Sequence, residues 1–481
     1  MLVRLILAGF PSLALRYPIK KLAAGVAVVA SFAYLLVSGT AFATIRAFIM
    51  IMIMLLAVTL DRPAIALRNV AIAALAILIF VPESLFHVGF QMSFAAVVAL
   101  VAAYEAWRDA RVRRGQNELG ARRDGLLRML ALFLAGIVGT TMVAGLAVAP
   151  FAAFHFHKTQ QYSVLANLIA IPACNILVMP AALASFIAMP FELEAGPLWV
   201  MGKGIDIMTW GARLVSGLPG AVGRIPAFPS YAFGLIVVGG LWLCIWRQRL
   251  RFLGIAGIAV GITLAPINGR PDALIGRDGR LVAVRAADGR LAAMRGRSGS
   301  FELRRWLEHD GDRRSVRQAR QRVSNRRGYQ CDRSGCTVLI KKVLMAVARH
   351  PRALVDDCRR ASILVLSFPK PPGCEPRGTV IDYFALKREG THAIYVNESG
   401  GVRVATVADS QGVRPWSPVK VRWQRTRRHP KWRPRGPKQA SSVAGSIARL
   451  RSFAAAMPLA RANEDQWRPE IEGDDPLQWS Q

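Results

Sequence analysis

The sequence predicts a polytopic α-helical membrane protein of about 8–9 spans followed by an extracytoplasmic mixed α/β domain. Three observations carry that prediction. The chain has 481 residues, 53% of them hydrophobic, and a net charge of +33 that is unevenly spread. Residues 1–268 hold 21 Lys+Arg and 9 Asp+Glu, nearly all in short gaps between apolar runs. Residues 269–481 hold the other 42 basic and 21 acidic residues, with no run long enough to cross a bilayer. The expected organisation is a transmembrane part at 1–268, an α/β domain at 269–415 and a basic, disordered tail at 416–481.

A span takes roughly 17–25 apolar residues. Such segments fall near 22–38, 42–60, 69–82, 88–104, 129–148, 164–190, 205–218, 231–246 and 252–267. Those at 69–82 and 205–218 are short, as tilted, interfacial or broken helices are. "MLVRLILAGF" runs into Pro11 and Arg16 without a small-residue cleavage site, so residues 1–16 read as an interfacial helix or a remnant of a span. Basic clusters lie before the first full span (Arg16, Lys20, Lys21), after the second (Arg62, Arg68), in the seven-arginine loop 105–128, and in "RQRLR" at 247–251. The positive-inside rule puts all four in the cytoplasm and residues 269–481 outside it.

Within the spans the polar residues are neutral: Gln91, Ser93, Asn167, Asn175, Ser185 and Thr209. No stripe of carboxylates runs through them, which argues against an ion-coupled transporter. Gln91, between Gly89 and Ser93, is a polar amide in an apolar run and needs a protein partner or water. It is either a helix-packing device or part of a pathway. The stretch 163–190 carries Asn167, Asn175, Pro172, Pro180 and Pro190, and its internal prolines predict a break into half-helices. A kinked structural helix is the alternative. "FHFHKT", with His155 and His157, lacks a third ligand and reads as a histidine pair at the membrane surface.

The soluble part opens with β-prone runs separated by Asp278-Gly279 and Asp288-Gly289, the usual sign of hairpins. "TVLIKKVLMAVAR", "SILVLSF", "THAIYV" and "GVRVATV" read as further strands, and 301–327 as an arginine-dense helical segment. Cys331, Cys336, Cys358 and Cys374 are four cysteines in an exported domain, the number two disulfides need. A zinc site at "CDRSGC" is the rival, but no neighbouring histidine completes a tetrahedral set. His309, His350, His392 and His429 are scattered, and the closest grouping, His309 with Asp310 and Asp312, lacks a second histidine; no catalytic residue, metal or cofactor is expected. Arg313, Arg314, Arg317 and Arg320, in a run continuing to Arg322, Arg326 and Arg327, are candidate contacts for a nucleic-acid backbone, against the alternative of a solvated basic face. Trp416, Trp423 and Trp432 interleave with basic residues in the tail as single-strand stacking platforms do.

Three segments in order resemble the core of the ComEC-type competence proteins, which are DNA internalisation channels. The first supplies Gly39, Arg46, Ala47, Met50, Arg62 and Pro82; the second is Gly89-Phe90-Gln91-Met92-Ser93-Phe94; the third runs from Asn167 to Pro172. The resemblance covers about residues 16–190. It implies an inner-membrane channel component for uptake of single-stranded DNA in transformation, with the bilayer, the DNA strand and other competence proteins as partners. It also implies channel roles for Arg46, Gly89, Phe90, Gln91, Ser93, Asn167 and Pro172, with Gln91 and Asn167 lining or bracing the path. Fuller members carry an OB-like domain and more helices ahead of this core, so the chain is expected to be short at its N-terminus. Many end in a metallo-β-lactamase-like domain. Its His-x-His-x-Asp-His is absent, so residues 269–415 are expected to be a degenerate, non-nucleolytic form. The alternatives are a transporter of another polymer or lipid on the same scaffold, or a truncated channel fragment.

Overall fold

The computed structural model describes residues 19–39, 41–113, 126–267, 269–294, 299–321, 329–374 and 378–412. All lie in one of the two units into which contacts divide the chain, residues 1–421. The expected interfacial segment at 1–16, the arginines Arg322, Arg326 and Arg327, and the tail 416–481 with its tryptophans lie outside the described residues.

The membrane part comprises helices α1 Ile19–Val37, α2 Phe42–Thr59, α3 Leu67–Phe80, α4 Val88–Arg113 and α5 Leu126–Phe156. They are followed by α6 Ser163–Ala173, α7 Met179–Ala188, α8 Ala195–Ser216, α9 Ser230–Ile245 and α10 Leu253–Leu264. Among the described residues, 6 helical stretches are long and apolar enough to cross a membrane, and Leu67–Phe80 and Ser230–Ile245 are shorter apolar helices. α8 starts at Ala195, ahead of the predicted 205, so this segment is not short. Lys203, Asp206 and Arg213 make it the more polar helix.

The proline-rich segment does not break into half-helices. Its backbone stays helical from Ser163 to Ala188, with one π turn at Cys174–Val178, between Pro172 and Pro180. Proline removes a ladder donor and crowds the preceding turn; the wider π turn occupies the turn before Pro180 and relieves both there without interrupting the helix. Pro180 sits in the first turn of α7, where its missing N–H matters least. α9 and α10 touch through their backbones, since a Cβ on Gly239 would lie 2.7 Å from the Gly254 carbonyl oxygen.

Strands β1 Lys158–Gln160 and β2 Val222–Arg224 pair antiparallel between the membrane helices and the soluble domain. In that domain, β3 Ala273–Ile275, β4 Val282–Arg285 and β5 Leu291–Ala293 form the two hairpins expected from the Asp-Gly turns, with Gly279 and Gly289 at φ of 66° and 73°. β11 His392–Val396 and β12 Val402–Thr406 extend this antiparallel sheet in the order β12-β11-β3-β4-β5. The second sheet contains β6 Tyr329–Cys331, β7 Gly335–Ile340, β8 Val343–Ala348, β9 Ile363–Leu366 and β10 Thr379–Ile381, in the order β10-β9-β8-β7-β6. "TVLIKKVLMAVAR" is therefore two strands, not one. The chain reverses at Lys341, where φ is 51° and the ammonium faces Asp272 at 3.5 Å.

The two sheets pack face to face. Ile275, Val282 and Val284 of the first meet Val338, Met345, Ile363 and Val365 of the second in one buried core. The opposite face of the first sheet is covered by α11 Ser300–His309 and α12 Val316–Gln321 through Leu303, Leu307 and Ala319. That of the second is covered by α13 Leu354–Arg360 through Leu354 and Cys358. The result is a helix–sheet–sheet–helix sandwich. Cys331 is bonded to Cys336 across the β6–β7 pair, and Cys358 to Cys374, closing a loop of sequence separation 16. A loop of that size constrains the unfolded chain by about 3 kcal/mol. Replacing both Cys358 and Cys374 by serine should lower the denaturation midpoint of the full chain by a corresponding amount, measured by equilibrium unfolding in detergent without reductant.

Candidate functional site

At one end of the membrane helices, Gln91 clasps two segments. Its amide Nε2 donates to the Leu85 carbonyl at 3.0 Å, in the 3-10 turn Pro82–Phe86. Its Oε1 accepts from His155 Nε2 at 2.9 Å, at the end of α5. An amide oxygen only accepts, so the His155 proton sits on Nε2. Gly89 is two residues earlier, and a side chain there would be crowded. A Cβ there would lie 3.0 Å from Arg46 Nη1 and 3.2 Å from the His87 ring. Arg46, buried on α2, lies 5.2 Å from the Phe42 ring centre, and its Nε has no hydrogen-bond partner. Phe42, Arg46, His87, Gly89, Gln91 and His155 are thus one cluster drawn from α2, α4, α5 and the intervening turn.

Other expected site residues lie elsewhere. Phe90 and Phe94 are buried, 4.3 Å apart, and pack with Ala73 and Ile77 of α3. Ser93 is half-buried on α4. Asn167 Nδ2 donates to Thr141 Oγ1 at 3.3 Å, 14 residues before His155 and so roughly 20 Å along α5. The structure therefore does not bring Asn167 to Gln91; it binds α6 to α5. Pro172 sits where the π turn begins. The arginines also divide. Arg314 is not available to DNA: its side chain is 12% exposed, it holds Asp312 at 2.5 Å, and it donates to the Leu291 carbonyl at 2.7 Å. Arg320 is half-buried, and Arg313 and Arg317 are exposed.

A groove of about 1320 Å³ runs between α4, α5, α9 and α10. Its wall on α4 extends from Gln91 to Arg113, a rise of roughly 33 Å that matches the hydrocarbon thickness of a bilayer. Phe90, Phe94, Phe151, Phe228 and Phe233 line the Gln91 end; Ala95, Ala99, Ala102, Leu146, Val237 and Ile258 line the middle. Glu105, Asp109, Arg113, Arg247 and Arg251 gather at the other end. Neither Asn167 nor Arg46 faces it. The groove is open along one side, so its apolar wall is accessible from the surroundings of the helices.

The polar end of the groove is held by a knot that no sequence pattern marked. Glu105, 6% exposed, accepts the Leu67 N–H at the start of α3 (3.3 Å) and pairs with Arg247 at 2.5 Å. The carboxylate thus meets a helix N-terminus and a guanidinium at once. Asn69 adds a second clasp, donating to the carbonyls of Pro63 (2.9 Å) and Ala64 (2.8 Å). Glu105→Leu would leave the Leu67 N–H unmet and Arg247 with Asp109 alone, at about 1–3 kcal/mol for the buried amide. We expect lower accumulation in the membrane and a reduced melting temperature, with Glu105→Gln intermediate.

At the opposite end the soluble domain docks through β1, β2 and the tip of α11. The Ala227 N–H donates to the His309 carbonyl at 2.8 Å, Lys158 pairs with Glu308 at 3.1 Å, and the His157 and His309 rings are 4.9 Å apart. The carboxylates beside His309 are engaged: Asp310 by Arg285 at 2.7 Å and Asp312 by Arg314. Among the described residues no three His, Cys, Asp or Glu converge as a metal site. Burial lowers both histidine pKa values from the usual 6.5, and for His157 the neighbouring His309 adds to it. Depressed pKa values mean that both are neutral in the folded state at neutral pH. Their contribution is complete above 6.5 and is lost as pH falls through the folded values. The unfolding midpoint should therefore drop between about pH 7.5 and 5.5, and drop less in His309→Gln.

The family model for competence proteins matches residues 1–250. ComE operon protein 3 of Bacillus subtilis (strain 168) is 21% identical over 185 residues, covering 38% of this chain and 21% of that protein. The chain thus spans about a fifth of the length of that relative. No solved structure matches. With motif residues from three segments set in the helices described above, and a family match over more than half of its length, the chain belongs to the competence protein family.

Proposed function

We propose that the chain is a channel component that passes a single DNA strand through the inner (plasma) membrane in natural transformation. The groove carries this reading, since it reaches across a bilayer's thickness with an aromatic wall at one end and arginines at the other. An aromatic face accepts any unstacked base without regard to sequence, as sequence-independent strand transport requires. Arginines at the exit draw the phosphate backbone onward. Gln91 and His155 shape the aromatic entrance, and Arg46 adds a positive charge behind it.

In this reading the arginine end faces the cytoplasm by the positive-inside rule, and the soluble domain lies outside, where its disulfides are stable. Residues 269–415 are then a degenerate metallo-β-lactamase-like domain. The four-layer sandwich supports this, as does the engagement of Asp310 and Asp312 by arginines in place of metal. Its role is DNA contact through Arg313 and Arg317, not cleavage. Other competence proteins are its proposed partners, as its membership of the competence family suggests.

Deleting the gene should abolish uptake of labelled DNA; unchanged transformation would sink the proposal. Gln91→Leu should reach the membrane at a normal level, yet reduce transformation by about tenfold, because the Leu85 carbonyl and His155 lose their partner and the entrance loosens. Wild-type transformation in that variant would return Gln91 to a packing role.

A further inference from the structure

We infer that the groove between α4, α5, α9 and α10 is a binding site for one anionic diacyl phospholipid. The acyl chains lie along the apolar middle and the phosphate sits between Arg113 and Arg251.

The middle of the groove offers carbon. Ala95, Ala99, Ala102, Leu146, Val237 and Ile258 present no polar group, and water would find none of the two to four partners it needs there. Hydrocarbon is the occupant a bilayer supplies to such a wall. The end beyond Glu105 is different. Three arginines face two carboxylates there, and the partners are unequally shared. Arg247 is held by Glu105 at 2.5 Å and by Asp109 at 4.0 Å. Among the described residues, neither Arg113 nor Arg251 has a carboxylate within ion-pair distance, and the Arg251 Nε is buried without a hydrogen-bond partner. One phosphodiester carries the single negative charge and the acceptor oxygens that this end lacks. Basic pockets between membrane helices take anionic headgroups for this reason. A zwitterionic lipid would bring its own ammonium to two arginines, and an apolar helix would leave the Arg251 nitrogen unmet. The lipid occupies the same groove that the DNA reading uses, so it fills the groove when no strand is passing; its assignment does not rest on that reading.

The test uses the full chain in mild detergent and measures lipid rather than DNA uptake. Native mass spectrometry should show one anionic phospholipid retained per chain. After delipidation, phosphatidylglycerol vesicles should raise the melting temperature more than phosphatidylcholine vesicles. The Arg113→Gln/Arg251→Gln double variant should lose that preference, with retention of phosphatidylglycerol at least tenfold weaker and melting in phosphatidylcholine unchanged. Ala99→Trp, which fills the groove away from the arginines, should exclude both lipids. Equal retention of the two lipids by the wild-type chain overturns the proposal, even if a variant fails to fold. So does a preference that survives in the double variant, or a lipid-free dimer.

Discussion

A polar group taken out of water has to be met by another group of the same chain, and the helices of this protein are arranged by that requirement at both ends. At one end the Gln91 amide spans the gap between the Leu85 turn and His155. At the other, Glu105 answers both the unpaired N–H at the start of α3 and the Arg247 guanidinium. Between them α9 and α10 touch through glycine surfaces, while Asn167 and Thr141 bond α6 to α5 away from the groove. Each clasp joins segments far apart in sequence, 38 residues for Leu67 and Glu105 and 142 for Arg247 and Glu105. The groove exists because these clasps fix its two mouths while nothing polar crosses its middle.

The soluble domain is tied to the Gln91 end by chemistry of the same kind. β1 and β2 complete each other's backbone bonds, and the tip of α11 adds the Ala227–His309 bond, the Lys158–Glu308 pair and the histidine contact. His155 and His157 are two residues apart yet face different tasks, one bracing the entrance and the other meeting the domain. The carboxylates that a metal would need in this region are held by Arg285 and Arg314.

Much of the site was legible, and the reasons are uneven. Gln91 stood out because an amide in an apolar run is costly, and Arg46 and Gly89 because they match a family pattern. That Arg46 lies against Gly89 could not be read, since it depends on how α2 crosses α4. Glu105 and Asn69 gave no signal, because an acid or amide at a helix end is ordinary until its partner is known. Arg314 was misread for a related reason. A run of arginines looks uniform in sequence, while Arg313, just before α12, and Arg317, on it, are exposed, and Asp312 draws Arg314 in. The proline-rich segment misled because proline predicts a disturbed ladder without saying whether a break or a π turn relieves it.

The sequence by itself determined the division into apolar helices and a basic soluble domain, the hairpins at the Asp-Gly turns, and the scarcity of carboxylates within the spans. These follow from hydropathy, local turn chemistry and composition, which act over a few residues. The tertiary structure alone decided which polar groups meet, where the groove runs, and that its middle is apolar while its far end is cationic. Those outcomes depend on contacts between helices distant in the chain, where the cost of an unmet polar group selects one packing among many.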